Sequence, residues 1–162
     1  EQTSEPFKYP FPSPLIPCST MSLSFLVLPF LFVLSLAKDQ AVGAKGQLMC
    51  GNQPLANAEV KLWELDTWPD PDDELAKVYT DQQGRFTIQG TENELTTISP
   101  VVKFYHRCNN KGLFNLPALC KRKVTYEIPK SYISNGKAPQ KYYDFGTLNM
   151  EAKQKNEDTE CI

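Results

Sequence analysis

Residues 101–108, Val-Val-Lys-Phe-Tyr-His-Arg-Cys (VVKFYHRC), carry the clearest structural pattern in the chain. Val102, Phe104 and His106 occupy every second position, with basic and other residues between them. A period of two residues is typical of a β-strand that turns one face toward a core. Residues 121–128 (KRKVTYEI) alternate in the same way, so the two stretches are predicted to be neighbouring strands.

Five further strands are predicted around this pair, separated by turn signals of Pro, Gly and Asn: residues 44–50, 58–65, 75–80, 85–89 and 142–150. Seven or eight short strands of this kind predict an all-β fold, an antiparallel sandwich of two sheets. At most one short helix is expected, at residues 91–94, where Thr-Glu-Asn-Glu has the spacing of a capping box. The charged residues 151–160 are expected to be loosely held, with Cys161 tying them back.

The N-terminal part of the chain is predicted to lie outside the folded domain. Residues 1–20 are rich in proline and are expected to be a disordered segment upstream of the natural protein. Residues 21–37 begin with a methionine and contain an apolar run too short to span a membrane. This pattern is typical of a secretory signal peptide with cleavage near Ala37. The domain is therefore predicted to be residues 38–162, secreted and not membrane-spanning.

The predicted domain contains four cysteines: Cys50, Cys108, Cys120 and Cys161. An even number of cysteines after a signal peptide indicates two disulfides. Zinc is disfavoured, because there is no Cys-x-x-Cys motif and only one histidine. Of the three possible pairings, Cys108 with Cys120 and Cys50 with Cys161 is favoured, because the first two cysteines lie at the facing ends of neighbouring predicted strands.

The sequence resembles the nematode transthyretin-like family, a large group of small secreted proteins. The resemblance covers nearly all of residues 41–162 and is carried by five stretches in order: 41–66 (AVGAKGQLMCGNQPLANAEVKLWELD), 66–90 (DTWPDPDDELAKVYTDQQGRFTIQG), 94–108 (ELTTISPVVKFYHRC), 120–153 (CKRKVTYEIPKSYISNGKAPQKYYDFGTLNMEAK) and 160–162 (ECI). It implies the transthyretin fold, an eight-stranded sandwich, and an extracellular location. Some members of the family are thought to act as recognition proteins at cell surfaces.

Catalysis is not expected from the residues present. The same fold houses hydrolases of 5-hydroxyisourate that use several histidines, whereas this chain has only His106. That residue is expected to be a hydrogen-bonded residue of the core or of a strand edge. The chain is therefore predicted not to be an enzyme and to need no cofactor.

An acidic stretch at residues 66–74 is the sharpest charged cluster in the chain. Asp70, Asp72 and Asp73 are weak candidates for calcium ligands, because calcium prefers several carboxylate and carbonyl oxygens. The spacing is not that of an EF-hand. A solvated loop, whose acids cap the following segment, is the favoured alternative.

Two sets of residues are candidates for binding a partner. Leu113 and Phe114 lie in the apolar stretch bracketed by Cys108 and Cys120, and this loop is expected to fold back on the sheet edge or to project as a contact tip. Lys121 and Lys123 are predicted on one outer face, where they form a basic patch for anionic lipid or act as ordinary edge lysines. The net charge of −2 provides no overall basic footprint for nucleic acid.

These observations predict a secreted, disulfide-bonded binding or recognition module without catalytic activity. Its partner is expected to be an extracellular protein, an anionic lipid or a small hydrophobic ligand. The alternative is an oligomeric carrier of a small hydrophobic ligand.

Overall fold

The computed structural model describes residues 37–66, 71–110 and 119–161. Within these ranges the chain forms two sheets of five strands each, stacked as a sandwich. In chain order the strands are β1 Lys38–Cys50, β2 Gln53–Pro54, β3 Glu59–Glu64, β4 Asp73–Tyr79, β5 Arg85–Glu94, β6 Pro100–His106, β7 Cys120–Glu127, β8 Ser134–Asn135, β9 Tyr142–Asn149 and β10 Glu157–Cys161.

The first sheet is organised around the long strand β1. β5 pairs with β1 in antiparallel fashion, from Lys38 opposite Glu94 to Gln47 opposite Arg85. The short strands β2 and β8 also pair with β1 in antiparallel fashion, and β9 runs parallel to it. The second sheet has the order β10-β7-β6-β3-β4 and is antiparallel throughout.

The predicted all-β, two-sheet sandwich is confirmed. Ten strands are described, and the two-residue strands β2 and β8 account for the excess over the predicted seven or eight. One 3-10 turn, Lys130–Tyr132, is present among the described residues, and none of their helices is long and apolar enough to cross a membrane.

Two local predictions were wrong. Residues 91–94 do not form a helical turn but continue β5, because β1 extends to Lys38 and supplies their backbone partners. The tail is not loosely held either. Residues Glu157–Cys161 form β10 and pair with β7 at the edge of the second sheet.

An aromatic cluster joins the two sheets. Phe104 of the second sheet packs edge-on against Phe86 and Phe145 of the first sheet, with ring centroids 5.3 and 5.7 Å apart. Tyr126 of the second sheet also contacts Phe145, at 5.7 Å. Edge-to-face pairs of this kind add to the stability gained from apolar burial. The alternation in β6 therefore places its inner face in the core, as predicted.

The four cysteines form two disulfides, but the predicted pairing was wrong. Cys50 pairs with Cys108, and Cys120 pairs with Cys161. Cys108 follows β6 in the second sheet and bonds to the last residue of β1, so this disulfide connects the two sheets. Cys161 lies directly opposite Cys120 in the β7–β10 ladder. The prediction failed because it treated residues 151–160 as a loose tail rather than as the route to an edge strand.

Candidate binding site

Both disulfides lie at the end of the second sheet where β3 and β7 begin and β6 ends, which we call the disulfide end. A cleft of about 490 Å³ opens there, which we call the disulfide-end cleft. Its lining includes apolar groups, namely Leu55, Ala58, Tyr79, Tyr105 and the Cys50–Cys108 disulfide. Glu59, His106, Arg107 and Lys121 supply the charged and titratable groups of the same cleft.

His106 is the most unusual of these groups. Only 3% of the residue is exposed, and neither ring nitrogen has a hydrogen-bond partner among the described residues. Burial, followed by the positive charge of Arg122 opposite it on β7, lowers the pKa of His106 to about 4. The imidazole is therefore neutral at neutral pH. Its burial was expected, but the hydrogen bond expected for it is not formed with any of the described residues.

Arg122 connects the disulfide end to the last strand. Its Nε and Nη2 atoms donate to the two carboxylate oxygens of Glu157, each at 2.7 Å. Its Nη1 also donates to the carbonyl oxygens of Cys108 and Met150, both at 2.8 Å. The hydrogen bond from Arg122 is the largest cause of the lowered pKa of Glu157. This buried, bidentate ion pair, which we call the Arg122–Glu157 fork, holds β10 and the segment before it in place.

Sequence reasoning missed the role of Arg122, although a signal was present. The alternation that places Lys121 and Lys123 on the outer face of β7 places Arg122 on the inner face. An arginine predicted to face a core requires acceptors nearby, because a buried charge without partners is costly. Its main acceptor, Glu157, lies in the stretch that was not predicted to be a strand.

The two lysines of the predicted basic patch are both engaged by carboxylates. Lys121 Nζ lies 2.5 Å from Glu59 on β3. Lys123 Nζ lies 3.4 Å from Asp158 and 3.9 Å from Glu160, both on β10. The outer face of the second sheet is thus balanced in charge around these lysines rather than strongly basic. Their role in partner binding stays a prediction.

Three of the other predicted site residues, Leu113, Phe114 and Asp70, lie outside the described residues. Asp72 accepts a hydrogen bond from the backbone of Asp66 at 3.3 Å, and its other oxygen lies 3.8 Å from Lys103. Asp73 begins β4. Among the described residues, no three acidic, histidine or cysteine side chains are grouped to hold a metal ion.

The opposite end of the second sheet contains a second buried titratable group, and we call it the carboxylate end. Glu64, at the end of β3, is 4% exposed. Its Oε1 accepts from the backbone N–H of Ser99 at 3.0 Å, whereas its Oε2 has no partner among the described residues. Burial, with smaller contributions from Asp66 and Glu94, raises the pKa of Glu64 to about 7. Sequence reasoning did not single out this residue.

Comparison with known proteins agrees with the fold and with the resemblance of the sequence. Residues 45–129 match the model described as TTR-52: Transthyretin-like family. The chain is 46% identical over 140 residues to Transthyretin-like protein 46 of Caenorhabditis elegans, covering 86% of this chain and 76% of that protein. It is 44% identical over 123 residues to Transthyretin-like protein 33 of the same organism, covering 76% and 82%.

Among solved structures, the chain aligns with part of a 9R-lipoxygenase from Cyanothece at 29% identity, covering 73% of this chain and 17% of that one. The TM-score of 0.38 is too low to carry an argument. The family match and the two relatives suffice for assignment, because each relative is aligned over most of its own length. The chain belongs to the transthyretin-like family.

Proposed function

We propose that this protein is an extracellular binding module without catalytic activity and that its ligand binds at the disulfide end. The observation that carries the proposal is the convergence of three constraints on the end where the 490 Å³ cleft opens. These constraints are the two disulfides and the Arg122–Glu157 fork. A site whose walls are fixed before binding loses less entropy when the ligand arrives.

The cysteines support the extracellular part of the proposal. All four cysteines of the predicted domain are paired in disulfides. Such bonds persist in oxidising compartments and are rare in the cytosol. The signal peptide predicted at residues 21–37 and the family membership agree with export.

The surroundings of His106 support a binding role over a catalytic one. A histidine that acts as a general base is normally oriented by a hydrogen bond to its second nitrogen. Among the described residues neither nitrogen of His106 has such a partner. Burial and Arg122 also hold its pKa near 4, well below the range that suits a base at neutral pH.

The test is capture of the natural ligand by the secreted protein, purified from the medium of cells that express the full chain. Bound proteins and small molecules are then both identified by mass spectrometry. Tyr79→Ala and Arg107→Glu change two residues of the disulfide-end cleft. Lys130→Glu is the matched control, because Lys130 is exposed and lies beside Pro129 and Ile128 at the carboxylate end.

The expected result is one ligand retained by the wild type and by Lys130→Glu and lost from both cleft variants. Equal retention by all four proteins would place binding elsewhere, and no saturable ligand at all would reject a binding module. Light scattering addresses the alternative of an oligomeric carrier, because a strictly monomeric protein cannot form a channel between subunits.

A further inference from the structure

The two disulfides of the chain differ in their exposure to solvent. Cys161 is exposed and Cys120 is half-buried, so their disulfide lies at the surface of the sheet edge. Cys108 is 4% exposed and belongs to the core, and Cys50 packs against that core. Thiol–disulfide exchange requires a thiolate to reach a sulfur atom, so its rate depends on access. The edge disulfide is therefore the one that a thiol reaches more easily.

Strand β10 has little apolar surface to hold it once this bond is broken. Its sequence, Glu157-Asp-Thr-Glu-Cys161, contains no apolar side chain other than the cysteine, and every residue after Glu157 is exposed. The burial of apolar surface, which is the main stabilising force in a folded protein, is therefore nearly absent from this strand. The covalent bond at Cys161 compensates for that lack of burial.

The side-chain contacts of β10 are strongest at its first residue. Glu157 forms the Arg122–Glu157 fork, in which the two side chains are 8% and 11% exposed. The residues after it contribute the ion pairs of Lys123 with Asp158 and Glu160, whose carboxylates are largely exposed. Exposed pairs of this kind stabilise a fold very little. Apart from the backbone ladder, the described contacts therefore hold the beginning of β10 by the fork and its end by the disulfide.

We propose that the Cys120–Cys161 disulfide is a site of thiol–disulfide exchange whose co-substrate is a dithiol reductant. Its reduction frees residues 158–161 from β7, while the fork retains Glu157 and the disulfide between the sheets stays intact. The backbone edge of β7 from Cys120 to Lys123 is then uncovered, because residues 158–161 are its partners in the ladder. The exposed disulfide is thus a redox-sensitive clasp on the last strand.

The exchange proceeds in two balanced steps. A thiolate of the reductant attacks Sγ of Cys161, the more exposed residue, and forms a mixed disulfide as the bond to Cys120 breaks. The electron pair of that bond leaves on Cys120 Sγ, which takes up a proton. The second thiol of the reductant then loses its proton, attacks the mixed disulfide and releases Cys161 as a thiolate, which is protonated in turn. In total the protein gains two electrons and two protons, and the dithiol becomes a disulfide.

The exchange site is separate from the disulfide-end cleft. Cys50 and Cys108 line the cleft, and neither Cys120 nor Cys161 is among its described lining residues. Reduction of the edge bond therefore leaves in place the disulfide that borders the cleft. Exchange at the edge and ligand binding in the cleft can be tested independently of each other.

The experiment is a graded reduction of the secreted full-length product with dithiothreitol at pH 7, without denaturant. Free thiols are alkylated with N-ethylmaleimide at successive times, and peptide mapping by mass spectrometry identifies the cysteines that carry the label. The same reaction in concentrated urea is the matched control, because unfolding removes the difference in access and leaves the sequence unchanged. Native-state hydrogen exchange of the partly reduced protein then shows which strands are released.

In the folded protein, Cys120 and Cys161 should be labelled at least about tenfold faster than Cys50 and Cys108, because exchange depends on access to the sulfur. In urea the two pairs should be labelled at similar rates. After reduction, only residues 158–161 and the facing edge of β7 should lose protection from hydrogen exchange. Cys120→Ser with Cys161→Ser should give the same pattern without reductant, which assigns the release to the broken bond and not to the label.

Four outcomes would overturn the proposal. Two concern labelling of the folded protein: equal rates for the two pairs, or no labelling of either pair before the protein unfolds. The other two concern hydrogen exchange after reduction: protection of residues 158–161 that persists, or protection that is lost throughout both sheets.

Discussion

The two ends of the second sheet each bury a titratable side chain, but they are fixed in different ways. At the disulfide end, the cleft near His106 is surrounded by two covalent bonds and the Arg122–Glu157 fork. At the carboxylate end, hydrogen bonds replace disulfides. Glu64 accepts from Ser99, and Gln40 donates to the carbonyl of Thr96 at 2.5 Å, so two buried side chains position the connection between β5 and β6.

The disulfide end is therefore held by covalent bonds between strands, whereas the carboxylate end is held by hydrogen bonds of buried side chains. This difference does not arise from the disulfide loops themselves. Their sequence separations of 58 and 41 residues give nearly the same loss of entropy in the unfolded chain, about 4 kcal/mol each. The structural roles of the two disulfides therefore differ in the strands that each one joins and not in the length of the loop that each one closes.

The largest expected effect comes from removing either disulfide. Cys50→Ala with Cys108→Ala, and Cys120→Ala with Cys161→Ala, should each lower the free energy of unfolding by about 4 kcal/mol in urea titrations. Native-state hydrogen exchange should then distinguish the two variants. Loss of the bond between sheets should expose amides of both sheets, whereas loss of the edge bond should open β10 alone. The same exchange pattern in both variants would mean that the two bonds have equivalent structural roles.

The next effect concerns the fork that reinforces the disulfide end. Glu157→Gln should cost about 3 kcal/mol at pH 7, because Arg122 would keep a buried charge without its counterion. The pKa of Glu157 is lowered in the folded protein, so its contribution is present above the unfolded pKa near 4.3 and is lost as the pH falls through the folded value.

Urea titrations of the wild type and of Glu157→Gln at pH 7 and at about pH 2.5 measure this contribution. The two proteins should differ at pH 7 and converge at the acid pH. Glu151→Gln provides a control, since Glu151 is an exposed carboxylate in the segment just before β10. An equal loss at both pH values would mean that the substitution acts through packing rather than through the ion pair.

The fold was more predictable than the disulfide end, for a physical reason. Strands β6 and β7 have apolar residues at alternating positions, Val102 and Phe104 in β6 and Val124 and Tyr126 in β7, so a period of two residues is visible in the sequence. Strand β10 consists of Glu157-Asp-Thr-Glu-Cys161 and has no apolar alternation. Its pairing depends on Arg122, on cross-strand lysines and on a disulfide, which are contacts between distant parts of the chain. The cysteine pairing was wrong for the same reason, because it follows from the position of β10.

The carboxylate end was missed because burial of Glu64 depends on tertiary contacts that the sequence does not display. In β3, the alternation of Val60, Leu62 and Glu64 places all three on one face, but a glutamate at a strand end is usually exposed. Its burial becomes apparent only once Ser99, which is distant in sequence, is placed against it. The residue that most distinguishes the two ends was therefore beyond local pattern analysis.

A smaller effect is expected from Glu64→Gln, and it should depend on pH. The folded pKa of Glu64 is raised to about 7, so its stabilising contribution is present below the unfolded pKa and is lost as the pH rises through 7. The substitution removes the cost of burying the charge and should stabilise the protein by about 2 kcal/mol at pH 8, with little effect at pH 4. Urea titrations at the two pH values measure the difference.

His106 at the disulfide end should make the free energy of unfolding change with pH in the opposite direction. Its folded pKa is lowered to about 4, so its contribution is present above the unfolded pKa near 6.5 and is lost as the pH falls toward 4. The two slopes oppose each other between about pH 4.5 and 6.5, and the wild type should vary little with pH there. Glu64→Gln should uncover the rise with pH that His106 causes. A flat profile in that variant would contradict the assignment of the two groups.

The smallest effect is expected on the outer face of the disulfide end, where Lys121→Gln and Lys123→Gln can be compared. Lys123 pairs with Asp158 and Glu160, which are largely exposed, so its loss should change the free energy of unfolding very little, and less still at high salt. Lys121 pairs with Glu59, which is 12% exposed, and its loss should cost more, about 1 kcal/mol. Urea titrations at low salt and in 1 M NaCl measure both. If Lys123→Gln proved the more harmful, the rigidity of this end would depend on its surface charges as well as on the buried fork and the disulfides.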